Sequence, residues 1–200
     1  VSGAYGLTLG ADTITMGQAN GLTTLTLNAA TGNILNNSIN TTGTQTYNGA
    51  TQLGTTLASS GGNLALNGAT TLTADSNLTA TTGDITLANT LNGGQALTAT
   101  AGNNLAFNGT VGGLTPLTNL TLNSTNLTMA GFTQTGDLIS THTLGTFNGL
   151  GQANNITLNG ASVFNALLVA TSNFTQNGAT TLNGNLSAGA NLSIHGNMTL

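Results

Sequence analysis

The stretch GDITLANTLNGGQALTATAGNNLAFNGTVGG, residues 83–113, contains three short runs in which apolar residues alternate with polar or small ones. The runs are centred on Thr86, Thr98 and Ala106, and turns rich in Gly and Asn separate them. An apolar residue at every second position gives a β-strand one apolar face. The stretch therefore predicts strand, turn, strand, turn, strand, and it shows no helical period.

The first of these runs belongs to a repeat. GDITL at 83–87 returns as NNLAF at 103–107 and is preceded by GNLAL at 62–66, an interval of about 20 residues that is typical of a coiled repeat architecture. Such a repeat places equivalent strands side by side and parallel. We therefore expect the frequent Asn-Gly pairs at corners, where Asn and Gly tolerate left-handed backbone, and not in two-residue hairpins. These pairs begin at Asn48, Asn67, Asn108, Asn148, Asn159 and Asn177.

Composition excludes several classes of function. The 200 residues are 38% hydrophobic and only 2% charged, which favours a folded chain over a disordered one. Lys and Arg are absent, so no cation is available to neutralise nucleic-acid phosphates or anionic lipid headgroups. Cys is absent too, which excludes disulfides and thiolate metal sites. No apolar run has the roughly 20 residues of a membrane-spanning helix, so we expect no membrane insertion.

The chain predicts one domain, residues 1–200, as a single β-solenoid segment of a longer chain or fibre. It starts at Val1 without Met or a signal peptide, which indicates a piece of a longer polypeptide. Spacing is least regular at 131–153, where we expect a bulge, a longer loop or a change of cross-section. The coil register is also undefined at 28–60. Pro116 is expected at a corner or an unpaired edge position, since it lacks a ladder donor.

VFNALLV, residues 163–169, is the most continuously apolar run of the chain. One interpretation is a strand buried on both faces. The other is an exposed patch for lateral association. The regular part of the repeat predicts a core more directly, because alternation points a defined set of side chains inward. That set is Leu64, Leu66, Ile85, Leu87, Leu105 and Phe107.

Residues 83–131 resemble the repeats of large secreted exoproteins of the filamentous-haemagglutinin and autotransporter type. The similar elements are GDITL at 83–87, NGGQALT at 92–98, AGNNLAFNG at 101–109 and VGGLTPL at 111–117. The resemblance implies a right-handed parallel β-helix that is exported across a Gram-negative outer membrane and forms a stalk or an adhesive fibre. It thus implies an extracellular or cell-surface location, with a host or neighbour-cell surface ligand as a partner.

The residues that could carry chemistry are few. The only carboxylates are Asp12, Asp75, Asp84 and Asp137. Asp84 and Asp137 follow Gly and precede an apolar strand residue, a place that Asn fills elsewhere, so we interpret them as turn residues. A glycosidase needs two carboxylates about 5 to 9.5 Å apart. Asp75 and Asp84 are the only pair close in sequence, and nine residues separate them by about half a coil.

Other kinds of site are equally weakly supported. His142 and His195 are the only candidate bases, and neither has an Asp within three residues. No Gly-Gly-x-Gly-x-Asp motif for calcium occurs. Triplets such as Asn77-Leu78-Thr79 match the glycosylation pattern but follow from the strand alternation itself. Five Thr-x-Thr pairs could suggest an ice-binding face, but their unequal spacings do not place them on one face. These are Thr13/Thr15, Thr24/Thr26, Thr44/Thr46, Thr71/Thr73 and Thr98/Thr100.

The sequence therefore predicts an all-β, right-handed parallel β-helix (β-solenoid) with about 20 residues per coil and roughly ten coils. The predicted function is a structural or adhesive segment of an extracellular fibre, the β-helical stalk of a large surface exoprotein. The alternative is the body of a self-assembling filament or sheath. A polysaccharide-acting β-helix enzyme or an ice-binding protein is less favoured. We expect no enzyme activity, no cofactor, no metal and no catalytic residue, and self-association end to end or with flanking coils.

Overall fold

The computed structural model describes residues 5–200, which form a parallel β-solenoid without any helix. Residues 1–4 of the predicted segment 1–200 lie outside the described residues. The chain alternates short strands with corners. The strands in chain order are β1 (Leu7–Met16), β2 (Ala19–Leu22), β3 (Leu25–Leu35), β4 (Ile39–Thr41), β5 (Gln45–Asn48), β6 (Thr51–Leu53), β7 (Thr56–Ser59), β8 (Leu64–Leu66), β9 (Thr70–Leu72), β10 (Ser76–Ala80), β11 (Ile85–Leu87), β12 (Leu91–Asn92), β13 (Leu97–Ala101), β14 (Asn104–Phe107), β15 (Leu120–Met129), β16 (Phe132–Thr133), β17 (Leu138–Phe147), β18 (Gly151–Ala153), β19 (Ile156–Phe164), β20 (Leu168–Ala170), β21 (Phe174–Asn177), β22 (Thr180–Leu182), β23 (Leu186–Ala188), β24 (Leu192–His195) and β25 (Met198–Thr199).

Three faces run along the solenoid, and each consists of strands that pair in parallel with the next coil. Face 1 contains β5, β8, β11, β14, β22 and β25, the first halves of β1 and β3, and the second halves of β15, β17 and β19. Face 2 contains β6, β9, β12, β16, β18, β20 and β23, with the second halves of β1 and β3. Face 3 contains β2, β4, β7, β10, β13, β21 and β24, with the first halves of β15, β17 and β19.

The coils are about 18 residues apart and number about 11. The predicted parallel β-solenoid is thus confirmed, with a slightly shorter coil and one more turn than expected. All strand pairs among the described residues are parallel, so the Asn-Gly pairs form corners, as predicted, and not hairpins. The right-handed sense of the coil stays a prediction, supported by the general handedness of parallel crossover connections.

The core fills the interior of the coil. The six side chains predicted to point inward are each at most 1% exposed, which confirms the register of the regular part. Ile85 pairs with Leu64 on one side and Leu105 on the other, and Leu87 pairs with Leu66 and Phe107. Identical strand positions therefore stack along the axis, and each coil buries the apolar face of its neighbour.

The interpretation of residues 163–169 as one strand buried on both faces is wrong. β19 ends at Phe164, a corner follows, and β20 begins at Leu168. Phe164 and Leu168 are buried, whereas Val163 and Val169 are only half-buried and Leu167 is 39% exposed. The apolar run is continuous in sequence because two strands on different faces meet there through a corner of three residues.

Irregularities occur where corners gain or lose residues. Within residues 131–153, β17 and β19 change register between Thr141 and Leu144, which forms a bulge in one of the two regions of irregular spacing. The segment between Val111 and β15 is a longer loop in which Pro116 lies outside every strand. Leu114 projects from that loop and is 89% exposed. Asn92 holds the loop, because its Oδ1 accepts the backbone N–H of Leu114 at 2.9 Å.

Candidate functional site

Asp84 lies at the corner before β11, in a column of amide side chains. Its backbone N–H donates to Asn63 Oδ1 at 2.9 Å. Its Oδ1 accepts the backbone N–H and the side-chain Nδ2 of Asn104, at 3.0 and 2.9 Å. Asn104 Oδ1 then accepts Asn126 Nδ2 at 3.0 Å. Asp84 is therefore a turn residue in a column that is otherwise built from Asn.

Asp137 has the same role at the corner before β17. Its N–H donates to Asn119 Oδ1 at 2.9 Å. Its Oδ1 accepts Asn155 Nδ2 at 2.9 Å and the Asn155 backbone N–H at 3.2 Å. The column continues through Asn173 and Asn191, whose amides donate at 2.9 and 2.8 Å. The carboxylate is thus one member of a side-chain ladder that joins five coils.

The other two carboxylates are equally separate. Asp75 Oδ1 accepts the backbone N–H of Ala96 at 2.8 Å, and Asp12 is exposed within β1. Asp75 and Asp84 lie at different corners, one before β10 and one before β11. Among residues 5–200 no three His, Cys, Asp or Glu side chains are grouped as metal ligands. The four carboxylates therefore form no acid–base pair by hydrogen bonding to one another.

His142 is the titratable side chain in the most unusual environment. It lies inside the coil near the end of face 3 and is only 5% exposed. Ser140 Oγ contacts its Nδ1 at 2.8 Å, and Ser162 Oγ contacts its Nε2 at 3.1 Å. The ring also meets Phe147 edge-on, with centroids 6.3 Å apart. Ser124 pairs with His142 in the next coil, and its buried Oγ has no hydrogen-bond partner.

Burial lowers the pKa of His142 below its ordinary value, because desolvation disfavours the charged imidazolium. A hydrogen bond between the ring and the backbone of Ala161 acts in the opposite direction and is the weaker effect. The two serine hydroxyls can donate or accept, so they satisfy either neutral tautomer. The ring is therefore held neutral inside the core, without a carboxylate to orient it as a general base.

Glycine provides the space for this ring. A Cβ on Gly145 would lie 2.6 Å from His142 Nε2. Gly160 adopts a φ of +141°, and a Cβ there would lie 1.7 Å from the carbonyl oxygen of His142. The bulge between β17 and β19 falls at the same place, since His142 has no register partner in β19. The buried histidine, the two glycines and the bulge are parts of one local arrangement.

His195, unlike His142, lies outside the core. It is exposed at the end of β24, where Ser193 Oγ contacts its Nε2 at 2.9 Å and Asn177 Oδ1 contacts its Nδ1 at 2.8 Å. The ring continues the outward column of Asn159 and Asn177 on face 3. The two histidines therefore do not meet, and neither contacts a carboxylate.

The surface has a shallow groove of about 360 Å³ near the first coils, at the corner between faces 1 and 2. Small residues Gly32, Ala50 and Ala69 line it together with Ile34, Gln52 and Thr71. No carboxylate or histidine belongs to its lining. The groove follows from small residues at a repeated corner and offers no acid–base group.

The five Thr pairs considered above occupy different faces, as expected. Thr26 and Thr46 pair on face 1, Thr71 lies in β9 on face 2, and Thr98 lies in β13 on face 3. Sequence reasoning missed other groupings, above all the serines around His142 and the Asn ladders. The ladders have a signal in the sequence, because Asn or Asp recurs at intervals of 18 residues from Asn119 to Asn191. Ser162 has none, because it reaches the ring only through the coil register, whereas Ser140 lies two residues before His142 on the same strand.

Comparison with protein-family models, with curated proteins and with solved structures gives no match for this chain.

Proposed function

We propose that this chain is a structural stalk segment of a large secreted exoprotein, with an adhesive role at the cell surface. The observation that supports the proposal is the continuous core, because buried apolar columns run from coil to coil along the axis. Eleven coils spaced by about 4.8 Å give a rod of roughly 50 Å. Such a rod holds whatever is attached to its two ends at a fixed distance.

The absence of catalysis is part of this proposal. Asp75, Asp84 and Asp137 hydrogen-bond to backbone or into side-chain ladders, Asp12 is exposed, and the buried histidine has no carboxylate partner. We expect no turnover of pectin-like, glucan or chitin substrates. The test is an assay of the purified chain beside its Asp75→Asn and Asp84→Asn variants. A glycosidase rate that either variant abolishes, while circular dichroism stays unchanged, would contradict the proposal.

The location at the surface of a Gram-negative bacterium is tested on cells of the source organism. Antibodies raised against the purified chain should label intact cells, and external protease should remove the label. A soluble cytoplasmic enzyme of the same cells serves as the control for lysis. Labelling that requires permeabilised cells would contradict export and leave the rod itself unaffected.

Self-association is the alternative, in which the chain is the body of a filament. The last coil exposes Leu192 at 53% and Met198 at 45%, and its strands have backbone groups that another coil could pair. Further coils of the same chain satisfy these groups in the stalk proposal, whereas a second copy satisfies them in the filament. Joining opposite ends propagates a fibre. Light scattering and electron microscopy, with and without an added polar capping coil, distinguish the two.

A further inference from the structure

A column of side chains lies at the corner where the strands of face 1 end, and we call it the corner column. Strand pairing aligns its members from coil to coil. The column comprises Asn28, Asn48 and Asn67 in the first coils, Ala88, Asn108 and Ala130 in the middle coils, and Asn148, Asn165 and Asn183 in the last coils.

Amide ladders join the column near both ends of the rod. Asn48 Nδ2 donates to Asn28 Oδ1, and Asn67 Nδ2 donates to Asn48 Oδ1, both at 2.7 Å. In the last coils Asn165 donates to Asn148, and Asn183 donates to Asn165, both at 2.8 Å. Each asparagine in these two ladders is therefore held by at least one hydrogen bond to a neighbouring coil.

Asn108 belongs to the column but to neither ladder. Strand pairing aligns β14 with β11 on one side and with β15 on the other. Ala88 and Ala130 follow those two strands at the position that Asn108 has after β14. An alanine methyl group neither donates nor accepts a hydrogen bond. The exposed side chain of Asn108 therefore has no hydrogen-bond partner among residues 5–200.

This isolation distinguishes Asn108 from the other asparagines that precede a glycine. In each of the other eight Asn-Gly pairs, the asparagine side chain makes at least one hydrogen bond to another coil. The N–H of Gly109 also donates to no backbone carbonyl within the described part of the chain. A Cβ at Gly109 would lie 2.4 Å from the carbonyl carbon of Asn89, so the corner requires glycine after Asn108.

An asparagine before a glycine has a specific chemistry. The backbone nitrogen of the glycine loses its proton and bonds to the side-chain Cγ, ammonia leaves, and a cyclic succinimide remains. Water then opens the ring at either carbonyl and gives aspartate or isoaspartate. Glycine favours ring closure because it has no Cβ and a permissive backbone. A hydrogen bond to the asparagine amide opposes the reaction, because the bond must break before Cγ can turn toward the nitrogen.

We propose that Asn108 is a self-modification site, the Asn-Gly pair of the folded rod that converts first to aspartate and isoaspartate, with water as the co-reactant. The product has a carboxylate between Ala88 and Ala130, and it makes the formal net charge of −4 one unit more negative. No Lys or Arg is available to pair with it. Isoaspartate also lengthens the main chain by one carbon, at a corner where Gly109 packs directly on the preceding coil.

Two substitutions exchange the environments of Asn108 and Asn67. Ala88→Asn introduces an amide that can donate to Asn67 and accept from Asn108, as Asn48 does between its own neighbours. Ala88 is exposed, so the larger side chain needs no space in the core. Asn48→Ala acts in the reverse direction, because the single side-chain bond of Asn67 is the one to Asn48. Asn67 then lies between two alanines, as Asn108 does in the wild type.

The experiment incubates the 200-residue chain at mildly alkaline pH and follows each Asn-Gly pair by peptide mapping and mass spectrometry. Pepsin is the protease, because the chain has no Lys or Arg for trypsin. We expect Asn108 to convert about tenfold faster than Asn67 and Asn148, a difference of about 1.4 kcal/mol in the barrier. A88N should slow Asn108 to the wild-type rate of Asn67, and N48A should raise Asn67 to the rate of Asn108.

The same incubation in urea separates the effect of the fold from that of the local sequence. The pairs should convert at similar rates in the unfolded chain, and circular dichroism verifies that each variant folds without urea. Equal rates at Asn108, Asn67 and Asn148 in the folded wild type would overturn the proposal, and this comparison requires no variant. An advantage of Asn108 that persists in urea, or that a folded A88N leaves unchanged, would overturn it as well.

Discussion

Residues 7–119 and residues 120–200 use the same three faces with different regularity. In the first region the side-chain hydrogen bonds between coils span a variable 18 to 23 residues, as in the bonds that Asn33, Asp84 and Thr115 make. In the second region Leu120, Leu138, Ile156, Phe174 and Leu192 pair in succession at a constant 18 residues. The difference lies in the corners, since the strands of both regions stack in the same way.

The two regions also turn their corners differently. β1 and β3 run continuously from face 1 to face 2, whereas β15, β17 and β19 run from face 3 to face 1. From β4 to β14, three short strands form each coil. The loop around Pro116 then adds residues before β15. A constant corner keeps outward side chains in columns, and a variable corner breaks them. The column of Asn155, Asn173 and Asn191 therefore stays aligned in the second region.

Their interiors differ as well. The first region is filled mainly by leucine, with Tyr47 donating to Gln45 Oε1 at 2.7 Å. The second contains a run of phenylalanines whose ring centroids lie 5.5 to 6.3 Å apart. Rings at these distances add about 0.5–1.5 kcal/mol per pair beyond the buried area.

The largest expected effect comes from removing the central ring of the second region. Phe147 is 1% exposed and packs against both Phe132 and Phe164. Phe147→Ala should lower the free energy of unfolding by about 3–5 kcal/mol, and Leu87→Ala in the first region by about 2–5 kcal/mol. Urea denaturation followed by circular dichroism measures both. A loss of only a few tenths of a kcal/mol in either variant would contradict the assigned packing.

Gly160 provides the second largest effect and tests the bulge. Its φ of +141° disfavours any side chain, and its Cβ would collide with the carbonyl of His142. Gly160→Ala should cost about 1–3 kcal/mol. Gly17→Ala is the control from the first region, because a Cβ there meets nothing within 4 Å. Thermal unfolding compares them, and an equal melting temperature for the two variants would argue against the strained corner.

Much of this molecule is predictable from local pattern. Alternation in a single strand gives the inward position of Leu87 or Phe107, and the repeat gives parallel stacking. The contact of His142 with Ser162 is not predictable, because Ser162 lies 20 residues away and its alignment depends on a one-residue bulge. The corner between Phe164 and Leu168 is not predictable from the sequence either, because it contains no Gly or Pro.

His142, the buried histidine of the second region, predicts that the free energy of unfolding depends on pH. The folded pKa of His142 is lowered, whereas in the unfolded chain it is near the ordinary 6.5. The unfolded state therefore binds the proton first as the pH falls, and the free energy of unfolding decreases below pH 6.5 by at most about 1.4 kcal/mol per pH unit. Above pH 6.5 stability should not depend on this group.

Urea denaturation between pH 4.5 and 8 measures this dependence in the wild type and in two variants. His142→Gln should flatten the profile, because it removes the group that titrates only in the unfolded state. His195→Gln is the matched control and should leave the slope unchanged, since that ring is exposed. A slope that persists in H142Q, or that disappears in H195Q, would show that another group is responsible.

The smallest expected effects concern the ladders that distinguish the two regions. Asn173 joins its own coil to both neighbouring coils, because its side chain donates to Asn155 and accepts from Asn191. Asn173→Ala should cost about 1 kcal/mol, the net value of a typical hydrogen bond. Asp137→Asn places an amide at this corner, where the neighbouring coils have Asn119 and Asn155. Its effect on the free energy of unfolding should therefore stay within about 0.5 kcal/mol. If D137N instead cost more than N173A, the carboxylate would have a specific role that an amide cannot replace, and the interpretation of Asp137 as one rung of an Asn ladder would be wrong.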